Sequence, residues 1–190
     1  MTPHAEAADV AIATERLNVR SWREADRAPF HALNSDPRVM ATLGPVMTRA
    51  ESDALVDRLA AAEAARGCTF WAVERREDGA FLGFCGVRWN AQEIPIRGML
   101  EIGWRLGHAH WGSGYASEAA AASLDWAWRE TEAACVVAIT SETNTRSQAV
   151  MKRIGMERLA DGDFDHPAVP AGDRLRRHLI CRIDRPGRAA

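Results

Sequence analysis

The stretch Trp111-Gly112-Ser113-Gly114-Tyr115-Ala116 stands between an apolar run, Met99 to Leu106, and an alanine-rich segment, Ala116 to Trp128. An extended run, a double-glycine corner and a helix in immediate succession restrict the chain to folds in which a helix lies back against a sheet. Ala116, Ala120, Leu124 and Ala127 recur at helical spacing with small side chains, which allows close approach to that sheet. The corner has two readings. Glycines at the start of a helix expose unpaired backbone N–H groups that can receive an anion such as a phosphate, and they also serve wherever a chain needs a tight turn.

The flanking segments extend the α/β pattern. Residues 1–11 read as a flexible tail, small and irregular from Met1 to Asp9. Thr14 to Trp22 alternates as a half-buried strand, with Leu17, Val19 and Ser21 on one side. Glu24 to Leu33 reads as a short helix closed by Asn34-Ser35-Asp36-Pro37, because the residue before a proline disfavours helical angles. Thr48 and Glu51 form a capping-box signature for a helix to about Arg66. Asp78-Gly79 between Phe70–Glu74 and Phe81–Val87 predicts a hairpin. Asn90 to Gly98 reads as a polar loop containing Pro95. Cys135 to Thr140 is β-branched and apolar, as a central strand is. Asn144 to Ile154 returns to helical spacing and stops at Gly155, and Arg174 to Ile183 alternates as a last strand. The expectation is one mixed α/β domain over residues 1–190 with no internal repeat.

Composition narrows the function classes. With 24 basic and 26 acidic residues spread along 190 positions, the formal net charge is −2. No basic tract advertises nucleic acid or an anionic membrane. Cys68, Cys85, Cys135 and Cys181 form no C-x-x-C pair, so neither a metal site nor a disulfide framework is suggested, and buried thiols in a reducing cytoplasm are expected. No apolar run reaches the roughly 20 residues of a membrane helix.

Four pieces, in order, carry a resemblance: Thr14-Glu15-Arg16-Leu17; Asp36-Pro37-Arg38-Val39-Met40; Glu101-Ile102-Gly103-Trp104 leading into Trp111-Gly112-Ser113-Gly114-Tyr115-Ala116-Ser117-Glu118-Ala119; and Asn144-Thr145-Arg146-Ser147 with Gly155-Met156. From Thr14 to Ile183 the chain resembles the GNAT superfamily of acetyl-CoA-dependent N-acetyltransferases, in the branch that includes ribosomal-protein alanine N-acetyltransferases. The resemblance implies a mostly antiparallel, splayed mixed sheet flanked by helices. It also implies that acetyl-CoA lies with its pyrophosphate on the amides of the glycine turn and its pantetheine arm between the strands Met99–Leu106 and Val136–Ser141. The cofactor-contacting residues it implies are Ile102, Trp104, Leu106, Trp111, Gly112, Ser113, Gly114, Tyr115, Ala116, Ser117 and Asn144, and a homodimer fits the family. The chain departs from the broader superfamily in carrying Ala109 where Arg or Gln often precedes the first glycine, and Cys181 where relatives carry tyrosine.

Acetyl transfer needs a neutral amine, and an α-amino group of pKa ~8 is mostly protonated near neutrality, so a proton acceptor is useful. Glu101 is the first candidate; it could equally pair with an arginine on a neighbouring strand. His178 is an alternative base, and His166 and Trp89 are candidates for the acceptor entrance. Ser147, three residues after Asn144 at a helix start, is the candidate to protonate the leaving thiolate, or a first-turn helix residue. Arg105 and His108 could add charge near the phosphates or form surface salt bridges. Two rival functions remain: a non-catalytic acyl-CoA-binding sensor, and a dinucleotide-binding oxidoreductase, since Gly112-x-Gly114 follows a strand and Glu142 follows later, although Ser117 replaces the third glycine of that fingerprint. The sequence does not separate protein N-termini from small amines as acceptor.

Overall fold

The computed structural model describes residues 10–187. Its strands are β1 (Val10–Ala13), β2 (Leu17–Arg20), β3 (Phe70–Arg75), β4 (Phe81–Trp89), β5 (Leu100–Leu106), β6 (Cys135–Ser141), β7 (Glu157–Arg158), β8 (Phe164–Asp165) and β9 (Arg177–Asp184). Its helices are α1 (Arg27–Asn34), α2 (Pro37–Met40), α3 (Arg49–Arg66), α4 (Tyr115–Glu130) and α5 (Thr145–Arg153). All the strands join one sheet in the order β1-β2-β3-β4-β5-β6-β9-β7, with β8 also on β9.

Local chemistry explains the boundaries. The Thr48 hydroxyl accepts from the Glu51 amide and the Glu51 carboxylate accepts from the Thr48 amide, which satisfies the first turn of α3. Gly67, at φ +69°, closes the same helix in the left-handed region. Asp78 Oδ1 accepts from the Ala80 amide and so shapes the β3–β4 turn. The tail expectation is corrected at its inner end: Val10 and Ala11 belong to β1, which pairs with β2, while residues 1–9 lie outside the described residues. The Asn34-Ser35-Asp36-Pro37 signal that ends α1 also starts α2, since Asp36 caps the Arg38 amide at 2.8 Å with Pro37 in the first turn. The polar-loop reading of 90–98 is corrected as well. Ile94 and Ile96 are buried there against Val137 and Ile180.

The sheet separates two packing layers. On one face Leu100, Ile102, Val136, Ala138, Leu179 and Cys181 pack under α4 and α5, where Ala119, Ala120 and Ala127 let α4 settle onto the strands. On the other, Phe70 and Phe84 meet Phe30, Leu33 and Val39 of α1 and α2 and Val56 and Leu59 of α3. The cysteines are free thiols, three buried and Cys135 half-buried.

One defect in the sheet positions everything that follows. Among the described residues β5 and β6 are its only parallel neighbours, and they pair at Leu100↔Val136 and Glu101↔Val137 and nowhere further. β5 remains paired to β4 as far as Leu106↔Gly83, and β6 remains paired to β9 as far as Ser141↔His178. Each strand therefore follows its own half of the sheet, and the facing edges of residues 102–106 and 138–141 part with their inward backbone groups unpaired by the ladder. The mostly antiparallel order overturns the doubly wound, dinucleotide-binding alternative, which requires consecutive parallel βαβ units.

Candidate active site

The parted strands open into a cleft of about 680 Å³. β5 supplies Ile102, Trp104 and Leu106 to its wall; the following turn supplies Trp111, Gly112, Gly114, Tyr115, Ala116 and Ser117; the β6–α5 junction supplies Asn144 and Ser147. Ser113 alone of the expected cofactor residues does not line it, and its carbonyl accepts instead from Arg16 Nη1 at 3.0 Å.

The glycine turn suits an anion for reasons that its backbone makes explicit. Gly112 (φ +77°) and Gly114 (φ +83°) hold the left-handed conformation that side-chain-bearing residues avoid. Gly114 is the N-cap of α4 and offers no capping side chain. The helix's ladder begins only with the Glu118 amide bonding to the Gly114 carbonyl. The amides of Gly112 to Ser117 thus have no acceptor among the described residues, at the positive end of a 16-residue helix. A diphosphate fits this arrangement, and open space lies beside the Gly112 Cα.

Two motifs about a hundred residues apart meet to brace that turn. Glu118 Oε1 accepts from the Thr14 hydroxyl at 2.6 Å and the Arg16 amide at 3.1 Å, and Glu118 Oε2 accepts from Arg16 Nε at 2.6 Å. The Arg16 guanidinium also lies 4.6 Å from the centroid of the Tyr115 ring. Burial alone would raise the Glu118 carboxyl, and the hydrogen bonds from Thr14 and Arg16 outweigh it, leaving the group below the usual carboxylate range. Trp111 is fixed by its indole N–H to the Leu106 carbonyl at 2.8 Å, with Arg146 over its ring at 4.6 Å. Asn144 accepts from the Ser147 amide at 3.2 Å and so caps α5, placing Ser147 in the first turn at the cleft wall.

The opposite end is built from side chains. Glu101 lines the cleft but is 6% exposed, and its Oε2 takes hydrogen bonds from Arg88 Nε and Nη2, each at 3.1 Å, and from Asn90 Nδ2 at 2.7 Å. Its pairing with a neighbouring-strand arginine is thus present together with its position on the cleft. A second pocket of about 320 Å³ adjoins the cleft through Thr42, Leu43, Ile139 and Thr140, and His166 and His178 line it with ring centroids 4.8 Å apart. His178 Nδ1 lies 3.2 Å from the Arg176 carbonyl. Because a carbonyl can only accept, Nδ1 carries the hydrogen and Nε2 keeps its lone pair in the neutral ring. His166 has the converse tautomer, since its Nδ1 accepts from the Ala168 amide at 3.2 Å. Burial lowers both imidazoles below the ordinary histidine value, opposed at His178 by the bond to Arg176; the neighbouring His178 lowers His166 further and Glu101 opposes.

Trp89 is a correction. It faces the α4 side and packs against the main core, lining neither pocket, because β4 alternation puts it on the face opposite Phe84 and Arg88. Arg105 is another. Instead of a surface salt bridge it makes a bond from Nη1 to Asn34 Oδ1 at 2.6 Å, within the cleft wall. Thr42, Leu43 and Ile139 also line the cleft and were not singled out from the sequence, which carries no spacing signal tying these segments together.

A family model described as an acetyltransferase (GNAT) domain matches residues 16–157. The chain belongs to the GNAT acetyltransferase family. It is similar to the uncharacterized protein YkkB of Bacillus subtilis, 32% identical over 150 residues covering 78% of this chain and 86% of that one. A GNAT-family acetyltransferase from Bacillus anthracis, known from its crystal structure, superposes with a TM-score of 0.75 at 27% identity, over 92% of this chain and 98% of that one. RimL, a ribosomal L7/L12 alpha-N-protein acetyltransferase solved with coenzyme A, shares the fold at a TM-score of 0.73 and 19% identity, over 93% of this chain and 98% of that one. Acetyl transfer is thus the chemistry of the family to which this chain belongs. Among the described residues no helix is long and apolar enough to cross a membrane.

Proposed function

We propose that this GNAT enzyme transfers the acetyl group of acetyl-CoA to a primary amine, of a small molecule or a protein N-terminus, by direct attack in a ternary complex in the cytoplasm. The observation that carries this reading is the parting of β5 and β6 just beyond Glu101 and Val137, with unclaimed amides of Gly112–Ser117 at the rim. The turn amides receive the diphosphate, and the unpaired edges of residues 102–106 and 138–141 hold an amide-bearing arm by strand-like hydrogen bonds. Acetyl-CoA supplies an activated acyl group.

His178 then takes the proton that the amine nitrogen loses as the new N–C bond forms. The tautomer that leaves Nε2 free, and burial that keeps the ring neutral near pH 7, support this role. The Ser147 hydroxyl protonates the sulfur as the C–S bond breaks, and the His178 imidazolium returns its proton to the Ser147 oxygen through solvent, so that one proton passes overall from nitrogen to sulfur. Glu101, with one oxygen committed to Arg88 and Asn90, is a positioning residue that holds the floor of the cleft where β5 and β6 part. The test is a thiol-release assay with acetyl-CoA across a panel of amines and N-terminal peptides. Sustained, acceptor-dependent release of CoA is expected; saturable binding of acetyl-CoA with no release for any amine would make the chain an acyl-CoA sensor.

A further inference from the structure

The charges on the acceptor half of the cleft do not balance. Among the described residues Glu101 is the only carboxylate-bearing one in the cleft wall, and Arg88 already meets it. Arg105 stands on the same face of β5, four residues along, with Gly103 between them. That face looks toward Phe70 and Phe84, away from α4, since the Phe70 ring sits over Gly103 and Arg105 lies 5.4 Å from the centroid of the Phe84 ring. The two phenyl rings stack at 5.4 Å with 2° between their planes, and Arg88 lies 4.5 Å from Phe70 on the far side. The result is a column with a guanidinium at each end. One end is neutralised by Glu101. The other has no carboxylate within 4.0 Å among the described residues.

The Arg105 guanidinium is also held in place. Its Nη1 donates to Asn34 Oδ1, and Asn34, fully buried, donates in turn to the Ser52 hydroxyl at 3.0 Å. Nε is buried with no hydrogen-bond partner. Burial without a counter-charge pushes the group down to about 10, the direction expected of a cation that the protein itself leaves uncompensated. A guanidinium that lines a substrate cleft, is fixed by its own hydrogen bond and meets no carboxylate is a recognition element for a planar anion.

We infer that the acceptor amine carries a carboxylate, which pairs with Arg105 while its amino group reaches the thioester; this deepens the proposed function and rests on it. Polyamines and other polycations are the acceptors this cleft selects against, because they would bring further positive charge to an unneutralised arginine.

The experiment compares matched acceptors: free amino acids against their carboxamides, and peptides with an acidic second residue against the corresponding amide residue. A kcat/KM at least tenfold higher for the carboxylate member is expected in one pair, and the pair that shows it tells whether the carboxylate belongs to a free amino acid or to a peptide side chain. Arg105→Gln collapses that ratio toward one while the KM for acetyl-CoA stays within about twofold. Arg105→Lys, which keeps the charge and loses the planar fork, gives an intermediate ratio. Calorimetry of the same acceptors with the wild-type enzyme saturated in coenzyme A reads the preference without turnover or substitution, so a failure of acetyl transfer and a failure of anion selection are seen separately. Equal kcat/KM and equal binding within both pairs, or a rise in the acetyl-CoA KM equal to the loss for carboxylates in Arg105→Gln, overturns the inference.

Discussion

The two ends of the cleft are made of different materials. The end at Gly112–Ser117 is main chain: two glycines at positive φ, six unclaimed amides and a helix terminus, all from one short stretch. The other end is side chain, with Glu101 and Arg105 in the cleft wall and His178 in the adjoining pocket, brought together from α1, the segment around Thr42, β5 and the β8–β9 region. In the proposed assignment, backbone recognises what every acetyl donor of this kind shares, whereas side chains are free to differ with the acceptor. Substitutions at the first end are therefore expected to act on cofactor affinity, and those at the second on turnover and acceptor choice.

The largest effect expected is at the acceptor end. His178→Gln removes the proton acceptor and lowers kcat by about a hundredfold with little change in acetyl-CoA affinity. The pH dependence gives an independent check. Because burial lowers the His178 imidazole, the ring stays neutral through the ordinary histidine range, so kcat/KM corrected for the fraction of neutral acceptor amine holds as pH falls through that range and declines only below it. A decline centred above the ordinary histidine value would exclude His178 as the base.

At the other end, Gly114→Val forces a β-branched residue to φ +83° at the mouth of the amide cradle. The free turn then relaxes away from that φ, and restoring it on binding costs about 2 kcal/mol, which corresponds to roughly thirtyfold weaker acetyl-CoA binding by calorimetry. An unchanged dissociation constant with altered acceptor preference would erase the division between the two ends. Glu118→Gln loosens the strap from Thr14 and Arg16 and raises the acetyl-CoA KM by about fivefold, equivalent to about 1 kcal/mol.

Smaller effects separate framework from chemistry. Glu101→Gln leaves Arg88 without its counter-charge and costs about 1 kcal/mol of stability, read as a fall of a few degrees in Tm, with a loss of kcat far below that of His178→Gln. A kcat loss as large as that of His178→Gln at unchanged Tm would return the base role to Glu101.

The same contrast explains what the sequence could and could not reveal. Every part of the proposed cofactor end has a local signature: the glycine pair, the small residues of α4 and the Asn144–Ser147 cap each act within a few positions. The Asp78-Gly79 hairpin and the Thr48–Glu51 box were legible for the same reason. The acceptor end has no such signature, because the Arg105–Asn34 bond spans 71 residues and depends on how α1 docks over β4 and β5. Trp89 shows the limit from the other side. Its place beside a polar loop suggested exposure to ligand, but strand alternation decides which face it occupies, and Arg88 has the cleft side. The strand β1 was hidden because Val10–Ala13 is too short to display alternation and is defined by its pairing with β2.

Amide-resolved NMR during titration with acetyl-CoA tests the central claim most directly. Saturable shifts are predicted at the backbone amides of Gly112–Ser117, with a second set along residues 102–106 on the parted edge of β5. Saturable binding that leaves those amides unmoved, or no binding at millimolar concentration, would contradict the assignment of this cleft.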